Sequence, residues 1–305
     1  MSAQDTAAIA TFKAQWRLAA ANRRGAPLSI EEQRRSFEEH FQAVPIADGC
    51  VVQAISSPGP AGETIVPKGA AASRALLYFH GGGFFFGSLQ SHRHLVSRLA
   101  VAAGVTAVSV DYRLAPEHPF PAALEDALAA YRWLLEQGFP PSGVVLAGDS
   151  AGGNLAAAAA LKIRDEGLPT PGGIYLISAW LDLTLSGDSY EVKASQDPIL
   201  ARETMREVAQ LYLGPVDGRY PYASPTYGDL SGFPPLMIQV GADEVLLSES
   251  LAFAQAAALH GVGVRLHVWP EMVHAWPLFH TALPQGARAI AEGGLWITDT
   301  LALAP

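Results

Sequence analysis

Three stretches of the chain hold residue types that together could cleave an ester or an amide. The first is Gly148-Asp149-Ser150-Ala151-Gly152, a G-x-S-x-G between the apolar run 144–147 and a helical pattern that begins at Ala151. With 29 glycines in 305 residues, about 0.2 such matches arise by chance, so the placement between strand and helix carries the motif. A turn this tight leaves no room for side chains two positions either side of the serine, and it lifts the hydroxyl clear of the sheet. The helix start behind it favours developing negative charge. A glycine-rich turn that binds phosphate on its backbone is the competing reading. The second stretch is His80-Gly81-Gly82-Gly83, directly after the apolar run 75–79. Consecutive glycines let backbone N–H groups approach a substrate oxygen and stabilise its negative charge. A merely flexible turn would not need the preceding histidine.

A nucleophilic serine also needs a base, and the base an acid, in the chain order serine, acid, histidine. Gly241-Ala242-Asp243-Glu244 follows the apolar run 236–240, and Pro270-Glu271-Met272-Val273-His274 follows Val264–Trp269. These place Asp243 as the acid and His274 as the base. Asp182 and Glu244 are the rival acids, and Asp182 is expected to organise its own loop. His280 is the rival base. His260 and His267, at a helix end and in mid-strand, suit solvation or packing better.

The elements that must position these groups alternate. Strands are expected at 75–79, 105–110, 144–147, 174–178, 236–240 and 264–269, with helices at 91–103, 122–137, 151–165, 249–260 and 287–302. Near-continuous apolar strands separated by helices predict an α/β fold with a mostly parallel sheet covered on both faces. Residues 51–55 and 64–66 would add two antiparallel edge strands, eight in all. Two segments break the rhythm. The N-terminal one reads as helices at 5–21 and 30–41, the second after Ser29 as N-cap. The segment 183–230 carries one helix near 202–213. Both are too long for simple connections. The expected organisation is N-terminal cap helices at 1–45, a core at 46–182 and 231–305, and a cap insertion at 183–230, the two caps meeting over one end of the sheet.

Composition narrows the class. The chain is 50% hydrophobic and 16% charged with net charge −9, which excludes disorder and disfavours nucleic acid or an anionic membrane as partner. A single cysteine, Cys50, excludes an internal disulfide. No basic leader precedes an apolar run and no apolar stretch is long enough to span a bilayer, so a cytoplasmic soluble protein is expected.

The motifs taken together resemble the hormone-sensitive-lipase-like esterases, the bacterial family IV carboxylesterases of the α/β-hydrolase fold. The resemblance runs from about residue 75 to 301. It rests on His80-Gly81-Gly82-Gly83-Phe84, Asp111-Tyr112-Arg113-Leu114-Ala115-Pro116-Glu117, Phe120-Pro121-Ala122-Ala123, Gly148-Asp149-Ser150-Ala151-Gly152-Gly153-Asn154 and His274. The stretches Leu181-Asp182-Leu183-Thr184 and Gly241-Ala242-Asp243-Glu244-Val245-Leu246 are similar to the subgroup called monoterpene ε-lactone hydrolases. Glu244 stands where many members have proline, a change expected to alter the loop and not the role of Asp243. The resemblance implies an α/β-hydrolase fold with a helical cap and a serine carboxylester hydrolase that needs no cofactor and no metal. Its catalytic residues would be Ser150, Asp243 and His274, and its oxyanion hole the amides of Gly82, Gly83 and Ala151. Lactone or amide hydrolysis would use the same triad. A receptor on this fold would lack the working histidine.

Two expectations concern size and assembly. Bulky cap residues (Phe12, Trp16, Phe37, Phe41, Tyr190, Met205, Tyr212) would close a small pocket suited to short acyl esters. In the resembled fold Val264–Trp269 lies at the sheet edge, with Arg265 as its one guarding charge, so a homodimer through this strand is expected.

Overall fold

The computed structural model describes residues 3–22 and 28–302. The extreme ends of the expected cap and core units (1–2 and 303–305) and the join of the two N-terminal helices (23–27) lie outside the described residues. Eight strands form one sheet in the order β1-β2-β4-β3-β5-β6-β7-β8. β1 (Cys50–Ala54) and β2 (Gly62–Pro67) are antiparallel to their neighbours. β3 (Ala71–Phe79), β4 (Val105–Val110), β5 (Val144–Asp149), β6 (Gly173–Ile177), β7 (Leu236–Gly241) and β8 (Val264–Trp269) run parallel. β5, β6 and β7 are buried along their whole length, which their unbroken apolar character requires of strands covered on both faces.

One face of the sheet is covered by α3 (Leu89–Ala103) and α9 (Pro284–Ala302), the other by α4 (Ala122–Glu136), α5 (Ala151–Asp165) and α8 (Leu247–Leu259). Ser88 caps α3, its hydroxyl accepting from the N–H groups of Gln90 and Ser91, and so satisfies donors the helix leaves open. The alanine run of α5 is buried, and small side chains let this helix lie close on the sheet.

The N-terminal helices α1 (Ala3–Asn22) and α2 (Ile30–Phe41) sit at the carboxyl ends of the strands. Ser29 and Glu32 form a capping box at the start of α2. Lys13 of α1 pairs with Asp243 just beyond β7, and Arg34 of α2 donates to the carbonyls of Phe85 and Ala115 and to both oxygens of Glu117. Residues 183–230 contribute the short α6 (Ser189–Val192) and α7 (Arg202–Leu213). The two segments touch where Arg17 donates to the carbonyls of Ser195 and Gln196. Among the bulky residues expected to wall a pocket, Phe12, Trp16 and Phe41 instead gather around Phe279, while Tyr212 stacks on Phe84 at 3.7 Å. No helix among the described residues is long and apolar enough to cross a membrane.

Where the turn around Ser150 joins this framework, the approach is close. A Cβ on Gly152 would lie 2.0 Å from the carbonyl oxygen of Phe79, and one on Gly148 2.4 Å from the Gly152 backbone. Both neighbours are backbone and cannot yield locally. Gly152→Ala is therefore expected to cost about 2 kcal/mol or more, about 3 °C or more in Tm, with a matching loss of active protein. Thermal melting followed by circular dichroism checks it, and an unchanged Tm would show that α5 can move off β3 freely.

Candidate active site

The site is assembled at the carboxyl ends of β3, β5, β7 and β8. Ser150 leaves β5 with φ 53° and ψ −121°, a conformation an L-residue adopts only when its surroundings enforce it. Its N–H donates to the Ile177 carbonyl and its carbonyl accepts from Trp180, so the turn is stitched to the end of β6. The hydroxyl lies 3.0 Å from Nε2 of His274. Ser150 is 9% and His274 6% exposed, so the pair is largely shielded from water.

Nδ1 of His274 donates to Oε2 of Glu244 at 3.1 Å. This corrects the expectation for Asp243, whose Oδ2 is 2.5 Å from Nζ of Lys13 and does not face the histidine. The physical reason lies in the loop after β7. Asp243 N–H bonds the Met272 carbonyl and its side chain emerges beneath α1. Glu244, fully buried, has the extra methylene needed to fold back toward the strand end. Gly241 gives it room, since a Cβ there would lie 2.8 Å from Oε1 of Glu244. The signal for Glu244 was in the sequence as the departure from proline beside the expected acid. The signal against Asp243 was not, because Lys13 lies 230 positions away.

The rival residues have other duties. His280 pairs through Nε2 with Nδ1 of His94 at 3.1 Å. His267 contacts Glu292 and His260 the Ala256 carbonyl. Asp182 accepts from the N–H and hydroxyl groups of both Thr184 and Ser186, and so organises its own loop as expected.

Burial alone pulls the His274 imidazole down. The hydrogen bond to Glu244 and the charges of Glu244, Asp197 and Asp149 more than reverse this, holding it above its ordinary value of 6.5. Asp149, 1% exposed, accepts from the Tyr78 hydroxyl at 2.7 Å and from the Gly81 N–H at 3.1 Å. Burial pushes its carboxyl up, but His92, Tyr78 and His274 outweigh that and keep it below its ordinary value. The buried His80 ring is driven down to about 3 by burial and by His92, and it stacks on Tyr112.

The loop 80–84 is held from behind. The Tyr112 hydroxyl donates to the His80 carbonyl and the Ala115 N–H to the Phe84 carbonyl. Gly82 and Gly83 have φ of 116° and 61°, and a Cβ on Gly82 would lie 2.2 Å from the Phe86 carbonyl oxygen. Among the described residues, the N–H groups of Gly82, Gly83 and Ala151 enter no hydrogen bond within the chain. Val208 of α7 presses on this loop, 2.8 Å from where a Gly83 Cβ would be. No cluster of three or more His, Cys, Asp or Glu side chains among the described residues is arranged to hold a metal ion.

Comparison with known proteins agrees with this architecture. A family profile described as alpha/beta hydrolase fold matches residues 76–278. An acetyl-hydrolase of Streptomyces hygroscopicus is 50% identical over 224 residues, 73% of this chain and 75% of that protein. An esterase of Acinetobacter venetianus is 35% identical over 242 residues, 79% and 80% of the two chains. Among solved structures, the esterase EstE5 soaked with p-nitrophenyl butyrate superposes with TM-score 0.92 at 41% identity, over 97% of this chain and 99% of that one. An esterase from the bacterial hormone-sensitive lipase family gives 0.91 at 38%, over 96% and 98%. The chain belongs to the alpha/beta hydrolase fold family, among its hormone-sensitive-lipase-like esterases. It is a carboxylesterase.

A base works only when neutral, so kcat/KM is expected to rise with pH through an apparent pKa above the ordinary imidazole value and to be lost as pH falls through it. Glu244→Gln removes the partner that raises this pKa. It should move the rise to lower pH and cost about 10⁴ in kcat. Asp243→Asn should stay within about tenfold of wild type with the rise in place. Rate profiles from about pH 5 to 9 on the three proteins decide, and the reverse ranking of the two variants would return the acid role to Asp243.

Proposed function

We propose that the enzyme hydrolyses short-chain carboxylic esters through Ser150, His274 and Glu244 and a covalent acyl-enzyme. The observation that carries this reading is the unbroken series of contacts from the Ser150 hydroxyl to His274 at 3.0 Å and on to Glu244 at 3.1 Å. As Ser150 Oγ bonds to the ester carbonyl carbon, its proton passes to Nε2 of His274. Glu244 keeps Nδ1 protonated and stabilises the imidazolium. The carbonyl oxygen becomes an oxyanion, received by the N–H groups of Gly82, Gly83 and Ala151. His274 returns the proton to the alkoxide as the C–O bond breaks and the alcohol leaves. Water then attacks the acyl-serine by the same route, releasing the acid and restoring the hydroxyl.

Short acyl chains suit a site overhung by α7, with Val208 on the oxyanion loop and Tyr212 on Phe84. The name of the Streptomyces relative, an acetyl-hydrolase, and the butyrate ester soaked into EstE5 point the same way. A lactone is a cyclic ester and would pass through the same steps, but no contact in the site selects a ring. A receptor role is disfavoured by a histidine in working contact with the serine.

Ser150→Ala is expected to reduce kcat by about 10⁴–10⁶ while the protein stays folded. A panel of p-nitrophenyl esters should show butyrate hydrolysed faster than palmitate, with no rate jump at the solubility limit. Retention of a tenth of wild-type turnover by Ser150→Ala would remove it from the role, and palmitate preference would overturn the acyl assignment.

We also propose a homodimer through β8. This strand is the last in the sheet, and Leu259 of α8 and Leu295 of α9 are exposed on the helices that precede and follow it in the chain. Antiparallel pairing about a two-fold axis would satisfy its open edge. Light scattering at micromolar concentration should give twice the mass of one chain, and Val268→Pro, which removes a ladder donor, should return the mass of a single chain. A single-chain mass for the wild type defeats the proposal.

A further inference from the structure

Glu244 shows only one of its oxygens to His274. The other, Oε1, accepts the Ser178 hydroxyl proton at 2.6 Å and the Gly241 N–H at 2.6 Å. Ser178 has a single hydroxyl proton, and Glu244 takes it. The lone pairs of the same oxygen accept the N–H of Ala275 at 3.0 Å, the residue next to the base. One fully buried hydroxyl therefore touches the acid on one side and the backbone of the histidine loop on the other. Its placement is enforced. Ser178 follows β6 with φ 46°, and its own N–H is tied to the Gln239 carbonyl on β7 at 2.8 Å. A non-glycine residue in the left-handed region costs free energy and persists where the surroundings over-determine it.

We propose that Ser178 is a positioning residue for the ester hydrolysis: its hydroxyl locks the Glu244 carboxylate and the His274 loop together, so that the imidazole is aimed at Ser150 before substrate arrives. This rests on the reading of Ser150, His274 and Glu244 as the triad. A buried carboxylate needs its full set of donors. Without the hydroxyl, Oε1 keeps only Gly241, the carboxylate is free to turn, and its less neutralised charge holds the imidazole proton more tightly.

The test is steady-state kinetics on Ser178→Ala with p-nitrophenyl butyrate. The expected result is a kcat lower by about ten- to a hundredfold, the worth of a hydrogen bond to a charged group. KM should stay within about threefold, and the acid-side rise of kcat/KM should move to higher pH. A role confined to packing would lower Tm without moving that rise. Because Ser178 acts through Glu244, adding Ser178→Ala to Glu244→Ala should cost less than about twofold further. Ser178→Gly, which accepts φ 46° without strain, should repeat the kinetic result and keeps the test open if the alanine variant fails to fold. Wild-type kcat and pH profile in either folded variant overturns the proposal, as does an undiminished loss in the Glu244→Ala background. Failure of the triad itself reads differently, as turnover by Ser150→Ala.

Discussion

The backbone contact between Gly152 and the Phe79 carbonyl is the constraint on which the site depends. Phe79 ends β3 and Gly152 lies in the first turn of α5, so the contact joins the strand that leads into the glycine loop 80–84 to the helix that follows Ser150. Glycine at 148 and 152 lets the two backbones meet, and Ser150 is left at φ 53° above them. The sheet order places β3 beside β5, so the three amides of Gly82, Gly83 and Ala151 come from two adjacent strand ends. Stabilisation of an oxyanion, the role proposed for them, depends on donors fixed before charge develops, and close-packed main chain fixes these three.

The second requirement is electrostatic. Glu244, Asp197 and Asp149 are all buried and all act on one imidazole. Unpaired carboxylates at such depth would be too costly to keep ionised, and each is supplied with donors. Asp197 accepts from the N–H groups of Ile199, Leu200 and Val245. Asp149 has Tyr78 and Gly81, and Glu244 has Ser178, Gly241 and His274. Five of these eight donors are backbone N–H groups, and three of the five (Gly81, Gly241 and Val245) lie at a strand end or in the turn after it. The hydrogen bond to Glu244 and the charges of the three carboxylates thus outweigh burial, and the site holds a proton on His274 more firmly than water would.

Much of this was legible in the sequence because the signals are local. The strands β4 and β8 and the helices α2, α5 and α7 have their expected bounds. The serine turn and the glycine loop directly follow an apolar run and His274 comes five residues after one, and a residue placed after a parallel strand must emerge at the same edge as its counterparts. The short α6 escaped notice because four residues give no periodicity. α9 begins at Pro284, three residues before the helical pattern suggested, since proline is well suited to the first turn of a helix. The choice between two adjacent carboxylates was not legible. It turns on the path of one loop and on Lys13, which sequence distance hides.

That choice also explains how α1 is held. With Glu244 on the histidine, Asp243 is released to pair with Lys13, and both partners are largely shielded from solvent. Were Asp243 the acid, Lys13 would bring a buried cation to a carboxylate already engaged and would draw its charge away from the imidazole. Moving the acid by one position separates the two tasks. The loop after β7 can then orient the base through one carboxylate and anchor the helix above it through the next. The anchored helix in turn covers Asp243, next to the strand end where Glu244 is buried and hydrogen-bonded. Cover over the site and the orientation of its histidine are in this way two results of the same short turn.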